Sequence, residues 1–177
     1  LDVGTSLAIF SAFAEGVSLY SSFAVLYSFQ LRNKLKGIGQ QMKWSVRDES
    51  LHSRMGCALY RHMCKEYPEL KNDAKESIEN AAKYMVEMEM KFIDKMFELG
   101  DLENLKAEDL KNFIYRRANE KLEELGYDPI FEYDGESADQ LEWFYHLTGG
   151  ETWTDFFAMR PTDYAKAGED DNWGDIW

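Results

Sequence analysis

The chain has 177 residues, of which 45% are apolar, so it is long enough to form one domain with a hydrophobic core. Its 33 acidic residues outnumber its 20 basic residues, and the net charge of -13 would repel a phosphate backbone and argues against nucleic-acid binding. The two cysteines, Cys57 and Cys64, form no C-x-x-C pair and are predicted to be reduced thiols inside a cytoplasmic protein. The composition therefore favours a protein or a metal as the partner.

The first predicted element is one long helix over residues 3–32, where no proline interrupts the chain. Glu15 is the single charge among residues 3–31, so a membrane span has to be considered. However, serines are scattered along this stretch, and a charge at mid-bilayer would cost about 2.5–3.5 kcal/mol. We therefore expect no membrane span but a helix that is buried on nearly all sides inside a bundle.

Three further helices are predicted from apolar spacing and from the residues that stop them. The second helix ends before Pro68, the third before Gly100 and the fourth before Gly126. Their predicted ranges are residues 38–65, 73–99 and 107–125. The charged residues of the fourth helix are interpreted as a solvated face, namely Glu120, Lys121, Glu123 and Glu124. The pattern as a whole predicts an all-α fold.

After Pro129 the chain changes to short aromatic pieces, and its last residues, 162–177, are acidic and without periodicity. Residues 126–135 are the linker candidate outside this tail. A polar, acidic segment of this kind buries too little apolar surface to order itself, so the tail is predicted to be flexible until a partner orders it.

A motif on the second helix carries ligand chemistry. Glu49 and His52 stand at positions i and i+3, so their side chains leave the same face of the helix and can hold one metal ion or a pair of ions. A lone Glu-x-x-His also occurs by chance as an exposed charge pair, so the motif alone is weak. His62 and His146 are predicted to be non-ligands, because neither has a carboxylate at helical spacing in a matching apolar context.

Glu15 strengthens the motif, because it is a carboxylate on an otherwise uncharged helix. A buried carboxylate without a cation costs several kcal/mol or takes up a proton, so such a glutamate needs a partner. A metal ion is one such partner, and carboxylate plus imidazole ligands suit iron or manganese. Gly16 beside it would let another helix approach closely.

The ligand set of a dimetal bundle is only half present. Ferritin-like dimetal carboxylate bundles take one glutamate from each of two helices and a Glu-x-x-His from each of two others. The 177 residues hold one lone glutamate at Glu15 and one Glu-x-x-His, with no second Glu-x-x-His anywhere in the sequence. The other half of the site is therefore expected from another polypeptide or from symmetry.

These residues resemble the second metal-ligand half of class I ribonucleotide reductase small subunits. The resemblance lies in residues 14–24, around Glu15, and in residues 47–52, where Glu49 follows Glu15 after 34 residues. It continues through further segments, namely residues 115–119, 141–143, 154–157 and 160–166. The resemblance thus covers nearly the whole chain, and its combination of spacing and local sequence is specific.

The resemblance implies a ferritin-like helical bundle, with residues 1–160 as one half of it and residues 161–177 as a flexible tail that docks on the large subunit. It implies that Glu15, Glu49 and His52 bind a dinuclear centre of iron or manganese. Asp48 would be the carboxylate that orients a histidine and joins the radical-transfer route, and Tyr164 would relay the radical to the large subunit. Asp48 as a surface acid, Tyr164 as an ordinary exposed tyrosine and the tail as a packing element remain open alternatives.

The implied function is to generate and deliver the oxidising equivalent with which ribonucleotides are reduced to deoxyribonucleotides. The first half of the family pattern cannot be placed here, so we expect a split or cleaved subunit whose N-terminal half is a separate chain. Small-subunit dimerisation and the large catalytic subunit are the other expected partners. Two rival functions remain: a ferritin-like dimetal oxidase or metal-storage protein, against which Tyr164 and the tail argue, and a metal-free helical interaction module in which Glu15 is protonated.

Overall fold

A computed structural model describes residues 2–149, and within this range the chain is helical with no β-strand. The predicted all-α fold is confirmed. The helices are α1 (Val3–Ile9), α2 (Tyr20–Leu31), α3 (Lys36–Glu66), α4 (Glu69–Met96), α5 (Ala107–Leu125), α6 (Gly135–Asp139) and α7 (Glu142–Gly149), with a π-helical segment (Phe10–Ala14) directly after α1. No helix in the described range is long and apolar enough to cross a membrane.

The first predicted helix is not continuous, and this expectation is wrong. After α1 the chain widens into the π segment, in which the Glu15 N–H donates to the carbonyl of Phe10, five residues earlier. A turn over residues 15–19 follows, and Leu19 has a left-handed backbone with φ 84° before α2 begins. We call residues 15–19 the break. No proline marks it, which is why the sequence pattern missed it.

Helix α3 is uninterrupted and lies close to the predicted range of residues 38–65. Its buried face repeats at intervals of three and four residues, as expected for one side of an α-helix. The residues of this face are Val46, Ser50, Ser53, Cys57 and Tyr60. Through this face α3 packs on α1, the π segment, α2, α4, α5 and α7.

Helix α5 has the predicted bounds and ends at Gly126, whose φ of 91° suits glycine at a helix C-terminus. The prediction that Lys121 belongs to a solvated face is wrong. Lys121 is buried, and its ammonium group lies 2.8 and 2.9 Å from the two carboxylate oxygens of Glu124. Arg117, one turn earlier, is buried as well. The core-facing side of α5 therefore carries two cations.

The predicted linker at residues 126–135 is held by side chains of α5. The amide oxygen of Asn119 accepts hydrogen bonds from the backbone N–H groups of Ile130 and Phe131, each at 3.0 Å. Asp134 then accepts hydrogen bonds from the first N–H groups of α6 and begins that helix. Helices α6 and α7 were not predicted. Tyr164 and the predicted tail, residues 161–177, lie outside the described residues.

Candidate metal centre

Three side chains predicted as ligands come together in the fold. One ligand atom each of Glu15, Glu49 and His52 lies within 4.8 Å of the others. In the described range, residues 2–149, this is the one group of three or more histidine, cysteine, aspartate or glutamate side chains that could hold a metal ion. Glu15, at the end of the π segment, thus meets Glu49 and His52 of α3, although 34 residues separate Glu15 from Glu49.

The α3 part of this group follows from helix geometry alone. The Glu49 carboxylate oxygen lies 3.7 Å from Nδ1 of His52, one turn further along the same face. The Glu49 side chain is 28% exposed and the His52 side chain 55% exposed. The pair is therefore reachable from the surface of the described residues.

Glu15 occupies the residue after the π segment, at the start of the break. A π turn contains one more residue than an α turn, so it changes the direction in which the following side chain leaves the helix. The expectation that Glu15 is a buried carboxylate is not met, because its side chain is partly exposed at the same edge as His52. Residues 2–149 therefore leave this edge partly open to solvent.

The chemistry of the three side chains fits iron or manganese. Two carboxylates and one imidazole are the ligand types that these metals take in proteins. Ligand atoms within 4.8 Å of one another need only small side-chain rotations to reach a common ion, since metal–ligand bonds to oxygen and nitrogen are roughly 2.0–2.2 Å long. Three ligands also leave coordination positions for other groups, as a shared dinuclear site requires.

An exposed apolar stripe runs along α3 beside the candidate centre. Trp44, Met55 and Leu59 are all exposed, and they fall on the same side of the helix as Asp48 and His52, opposite the buried face. We call these five residues the α3 stripe. Exposed apolar side chains that share one helix face are typical of interaction surfaces. Asp48 therefore lies at the surface of the described residues and next to Glu49 in the chain.

A second set of contacts lies behind the three candidate ligands, on the inner side of the break. The Tyr20 hydroxyl is 2.9 Å from the hydroxyl of Ser50, the residue after Glu49. The guanidinium of Arg117 lies over the Tyr20 ring, 3.5 Å from its centroid, and its Nε–H donates to the carbonyl of Gly16. These contacts connect α5, the break and α3.

Electrostatics around Arg117 are unusual for a protein interior. Burial lowers the pKa of Lys121, and the positive charge of Arg117 lowers it further, while Glu124 acts in the opposite direction. Burial also raises the pKa of the nearby Cys57 thiol to about 11, so this cysteine is an unreactive thiol, as its predicted reduced state implies.

Among residues 2–149 one carboxylate is buried, that of Glu89 on α4, and it was not predicted from the sequence. Glu89 is 7% exposed and accepts a hydrogen bond from the hydroxyl of Ser21 at the start of α2. Burial raises the pKa of Glu89, and the Ser21 hydrogen bond offsets part of that shift. The signal was present, because Glu89 falls in register with the apolar positions Val86 and Ile93 of its helix.

Arg117 and Tyr20 were also missed as site residues. Both lie in segments that resemble the family, residues 14–24 and 115–119, but no role was predicted for either. The available signal was helical register, because Arg117 and Lys121 continue the apolar positions Leu110 and Ile114 of α5. A basic residue at a core position needs a specific partner, and here the partner belongs to the break.

The two remaining histidines differ in their surroundings. His62 is exposed on α3 and belongs to no ligand group within the described residues. His146 has a carboxylate at helical spacing but not in an apolar context, because its Nε2 lies 3.5 Å from Glu142 on α7 and both side chains are exposed. No third ligand joins this pair within residues 2–149, so His146 remains outside the candidate centre.

Comparison with known proteins identifies relatives for most of the chain. The family model described as "Ribonucleotide reductase, small chain" matches residues 1–138. The Probable ribonucleoside-diphosphate reductase small subunit 048L of Invertebrate iridescent virus 3 is 32% identical over 174 residues, which cover 97% of this chain and 46% of the viral protein. The ribonucleoside-diphosphate reductase subunit beta of Chlamydia pneumoniae is 29% identical over 155 residues, covering 87% of this chain and 43% of the relative.

A solved structure supports the fold. A crystal structure assigned as a class I ribonucleotide reductase from Bacillus halodurans aligns with a TM-score of 0.69 and 21% identity, over 77% of this chain and 49% of that one. This likeness confirms the predicted ferritin-like helical fold. In all three comparisons the chain spans somewhat less than half of its relative's length.

Proposed function

Because the chain belongs to the ribonucleotide reductase small-chain family, we propose that it forms part of the radical-generating small subunit of a ribonucleoside-diphosphate reductase. Its contribution is one half of a dinuclear metal centre. The observation that carries this proposal is the meeting of Glu15, Glu49 and His52 within 4.8 Å at an edge that the described residues leave open. The family match also favours this function over a ferritin-like oxidase or storage protein.

The remaining ligands come from polypeptide outside these 177 residues. A dimetal bundle needs a second Glu-x-x-His and a second lone glutamate, and the sequence contains no second Glu-x-x-His. The α3 stripe supports this division, because its exposed Trp44, Met55 and Leu59 offer apolar surface beside the open ligand edge. A complementary half that packs on the stripe would bring its own ligands to the same place and exclude water from the centre.

Each residue then has a defined role. Glu15, Glu49 and His52 hold iron or manganese, and the bound metal pair supplies the redox chemistry from which the oxidising equivalent comes. Asp48 orients a histidine of the completed site through a hydrogen bond and takes part in proton-coupled radical transfer. Its exposure on the α3 stripe makes it available to a group on the complementary half.

The C-terminal part of the chain has a separate task in this proposal. Residues 1–160 form the bundle half, Tyr164 relays the radical, and residues 161–177 dock on the large catalytic subunit, where ribonucleotides are reduced. The terminal Trp173 and Trp177 are suited to anchor such a docking peptide, since buried aromatic side chains dominate binding energy at interfaces. The small subunit would act in the cytoplasm as a dimer, and the complementary half would be a separate chain.

The proposal is tested on the protein purified without a tag on any partner, by intact-mass analysis and metal quantification of the same sample. We expect a co-purifying chain and about two metal ions per completed site. Glu49→Gln and His52→Ala should each reduce the bound metal to about half or less, because each removes a ligand that the other half cannot replace.

Glu142 and His146 provide a matched control, since they form an exposed glutamate–histidine ion pair at helical spacing on α7, away from Glu15. Glu142→Gln and His146→Ala should leave the metal content unchanged. Equal metal loss in both pairs of variants, or a metal-free wild-type complex, would contradict the proposed centre. A single chain with a full metal complement would contradict the division into two halves.

A further inference from the structure

We propose that Arg117 is a positioning residue for the metal ligand Glu15: it clamps both ends of the break and so fixes where the Glu15 carboxylate stands relative to Glu49 and His52. This inference rests on the proposed function of the three ligands. It concerns a side chain on α5, which is 101 residues from Gly16 in sequence and belongs to neither ligand-bearing segment.

The first step is the hydrogen bond to the start of the break. The Tyr20 N–H donates to the carbonyl of Val17 at 3.2 Å and is therefore not available to the carbonyl of Gly16, its partner in a continuous α-helix. The Gly16 carbonyl accepts the Nε–H of Arg117 instead. Since a buried backbone carbonyl without a donor costs free energy, Arg117 stabilises the conformation in which the helix is broken directly after Glu15.

The second step is the contact with the end of the break. The Arg117 guanidinium lies 3.5 Å from the centroid of the Tyr20 ring, and Tyr20 is the first residue of α2. One guanidinium group thus contacts both Gly16, through its Nε–H, and the ring of Tyr20. Lysine has no equivalent combination of a planar face and a fixed donor fork.

The third step links the break to the other ligands. The Tyr20 hydroxyl lies 2.9 Å from the hydroxyl of Ser50, which follows Glu49 on α3. Arg117, Tyr20 and Ser50 therefore form a continuous chain of contacts from α5 to the helix that carries Glu49 and His52. This chain adds to the direct packing of the π segment on α3 in setting the position of Glu15 relative to Glu49 and His52, because no local helix geometry joins segments that are 34 residues apart.

The burial of Arg117 argues for this specific role rather than for packing alone. Arg117 is 4% exposed, and its neighbour Lys121 is also a cation. Placing a guanidinium there costs desolvation free energy that an apolar side chain of similar size would avoid. An apolar side chain would fill the space but could not donate to the Gly16 carbonyl, so the break and the position of Glu15 would become less defined.

Manganese(II) binding to the purified complex tests the inference, with free manganese(II) followed by its electron paramagnetic resonance signal. Arg117→Met should weaken manganese binding about tenfold, the scale on which residues behind metal ligands act. The spectrum of cobalt(II) bound in its place should also change, because the ligand geometry changes. Arg117→Lys keeps the charge but loses the planar face, and it should bind manganese more weakly than wild type.

Arg116→Met is the matched control, because Arg116 is the adjacent arginine on α5 and pairs at 2.7 Å with Asp139, on α6. It should leave manganese affinity and the cobalt spectrum unchanged. Thermal unfolding of every variant shows which of them fold. If Arg117→Met does not fold, Arg117→Lys decides the question.

Wild-type affinity and an unchanged cobalt spectrum in a folded Arg117 variant would overturn the inference, while manganese binding by the wild type would leave the proposed function in place. Loss of affinity in Arg116→Met equal to that in Arg117→Met would also overturn it, because the effect would then be general to α5. If the wild-type complex binds no manganese and Glu49→Gln changes nothing, the proposed function fails and this inference fails with it.

Discussion

The two segments that carry the candidate ligands are built in different ways. Helix α3 runs without interruption over Lys36–Glu66, and the spacing of Glu49 and His52 follows from one turn of regular helix. The other segment passes through α1, the π segment and the break before it continues as α2. In α3 the ligand geometry is local, whereas Glu15 owes its position to residues that are distant in the sequence. The comparison shows that one candidate site can depend on local and on tertiary structure at the same time.

Several specific side-chain contacts of the broken segment lie just after Glu15. Gly16 packs closely against α3 and α5. The Tyr20 hydroxyl is hydrogen-bonded to Ser50, and its ring lies under the Arg117 guanidinium. The Ser21 hydroxyl donates a hydrogen bond to Glu89 on α4. Substitutions at these contacts should therefore disturb the broken segment more than comparable substitutions on the regular surface of α3 or α4. The following predictions use that difference, beginning with the largest expected effect.

Gly16→Ala should lower the free energy of unfolding by about 2–3 kcal/mol, because an added methyl group would overpack this contact. A Cβ atom at Gly16 would collide with the carbonyl oxygen of Ala12 and lie 2.6 Å from the hydroxyl oxygen of Ser53 and 2.9 Å from Cδ of Lys121. The backbone carbonyl cannot move aside without altering the π segment. Chemical denaturation of the variant and the wild type measures the difference.

Gly37→Ala is the control for this experiment, since Gly37 lies in the first turn of α3 and a Cβ there would meet no atom within 4 Å. It should leave stability unchanged or raise it by up to about 0.5–1 kcal/mol, the usual gain when alanine replaces glycine in a helix. Equal destabilisation by the two substitutions would remove the distinction between the broken segment and α3.

The same distinction explains how much could be predicted from the sequence. The bounds of α5 could be predicted because apolar spacing and Gly126 are local signals, and the pairing of Glu49 with His52 needed only helix periodicity. The break could not be predicted, because its stabilising donor is Arg117, which is 101 residues from Gly16. Tertiary contacts decide the backbone there, and periodicity carries no information about them.

The errors over buried charge have a related cause. Glu15 was expected to be buried because its neighbours are apolar in sequence, but it lies at an open edge. Lys121 was placed on a solvated face because charged residues surround it in sequence, although it falls in the buried register of α5. Both predictions followed the composition of the surrounding sequence and not the helical register. Helical register would have placed Lys121 and Glu89 on the buried faces of their helices. The burial of Glu15 in a complex depends on the partner that packs on this edge, and the sequence of this chain does not specify that partner.

Glu89→Gln should make the stability of the protein less dependent on pH, with an effect of about 1–2 kcal/mol above neutral pH. Burial raises the pKa of Glu89 from its ordinary value of 4.5, so the folded state binds the proton more tightly than the unfolded state. The wild type therefore loses stability as pH rises from about 4.5 through the raised pKa. Glutamine cannot ionise and still offers an oxygen to Ser21, so the variant should be the more stable protein at pH 8 and equal to the wild type at pH 4.

Glu87→Gln is the matched control for this pH dependence, because Glu87 lies two residues earlier on α4 with an exposed side chain paired with Lys91. Its difference from the wild type should stay within about 0.5 kcal/mol at both pH values. Thermal unfolding at several pH values gives the comparison. A Glu89→Gln variant that is less stable than the wild type at pH 8 would show that the ionised carboxylate is stabilised by a partner, contrary to its burial against Ser21.

Tyr20→Phe should have the smallest effect, a loss of about 1 kcal/mol, because it removes one buried hydrogen bond and leaves the Ser50 hydroxyl without its tyrosine partner. The ring remains under the Arg117 guanidinium, so the clamp on the break is kept. Tyr84→Phe on the exposed surface of α4 should change stability by less than about 0.5 kcal/mol. If the proposed metal centre is correct, Tyr20→Phe should also weaken manganese binding less than Arg117→Met does, since only the hydrogen bond to Ser50 is lost and both Arg117 contacts remain. A larger loss in Tyr20→Phe would mean that the contact with α3, and not the clamp from α5, sets the position of Glu15.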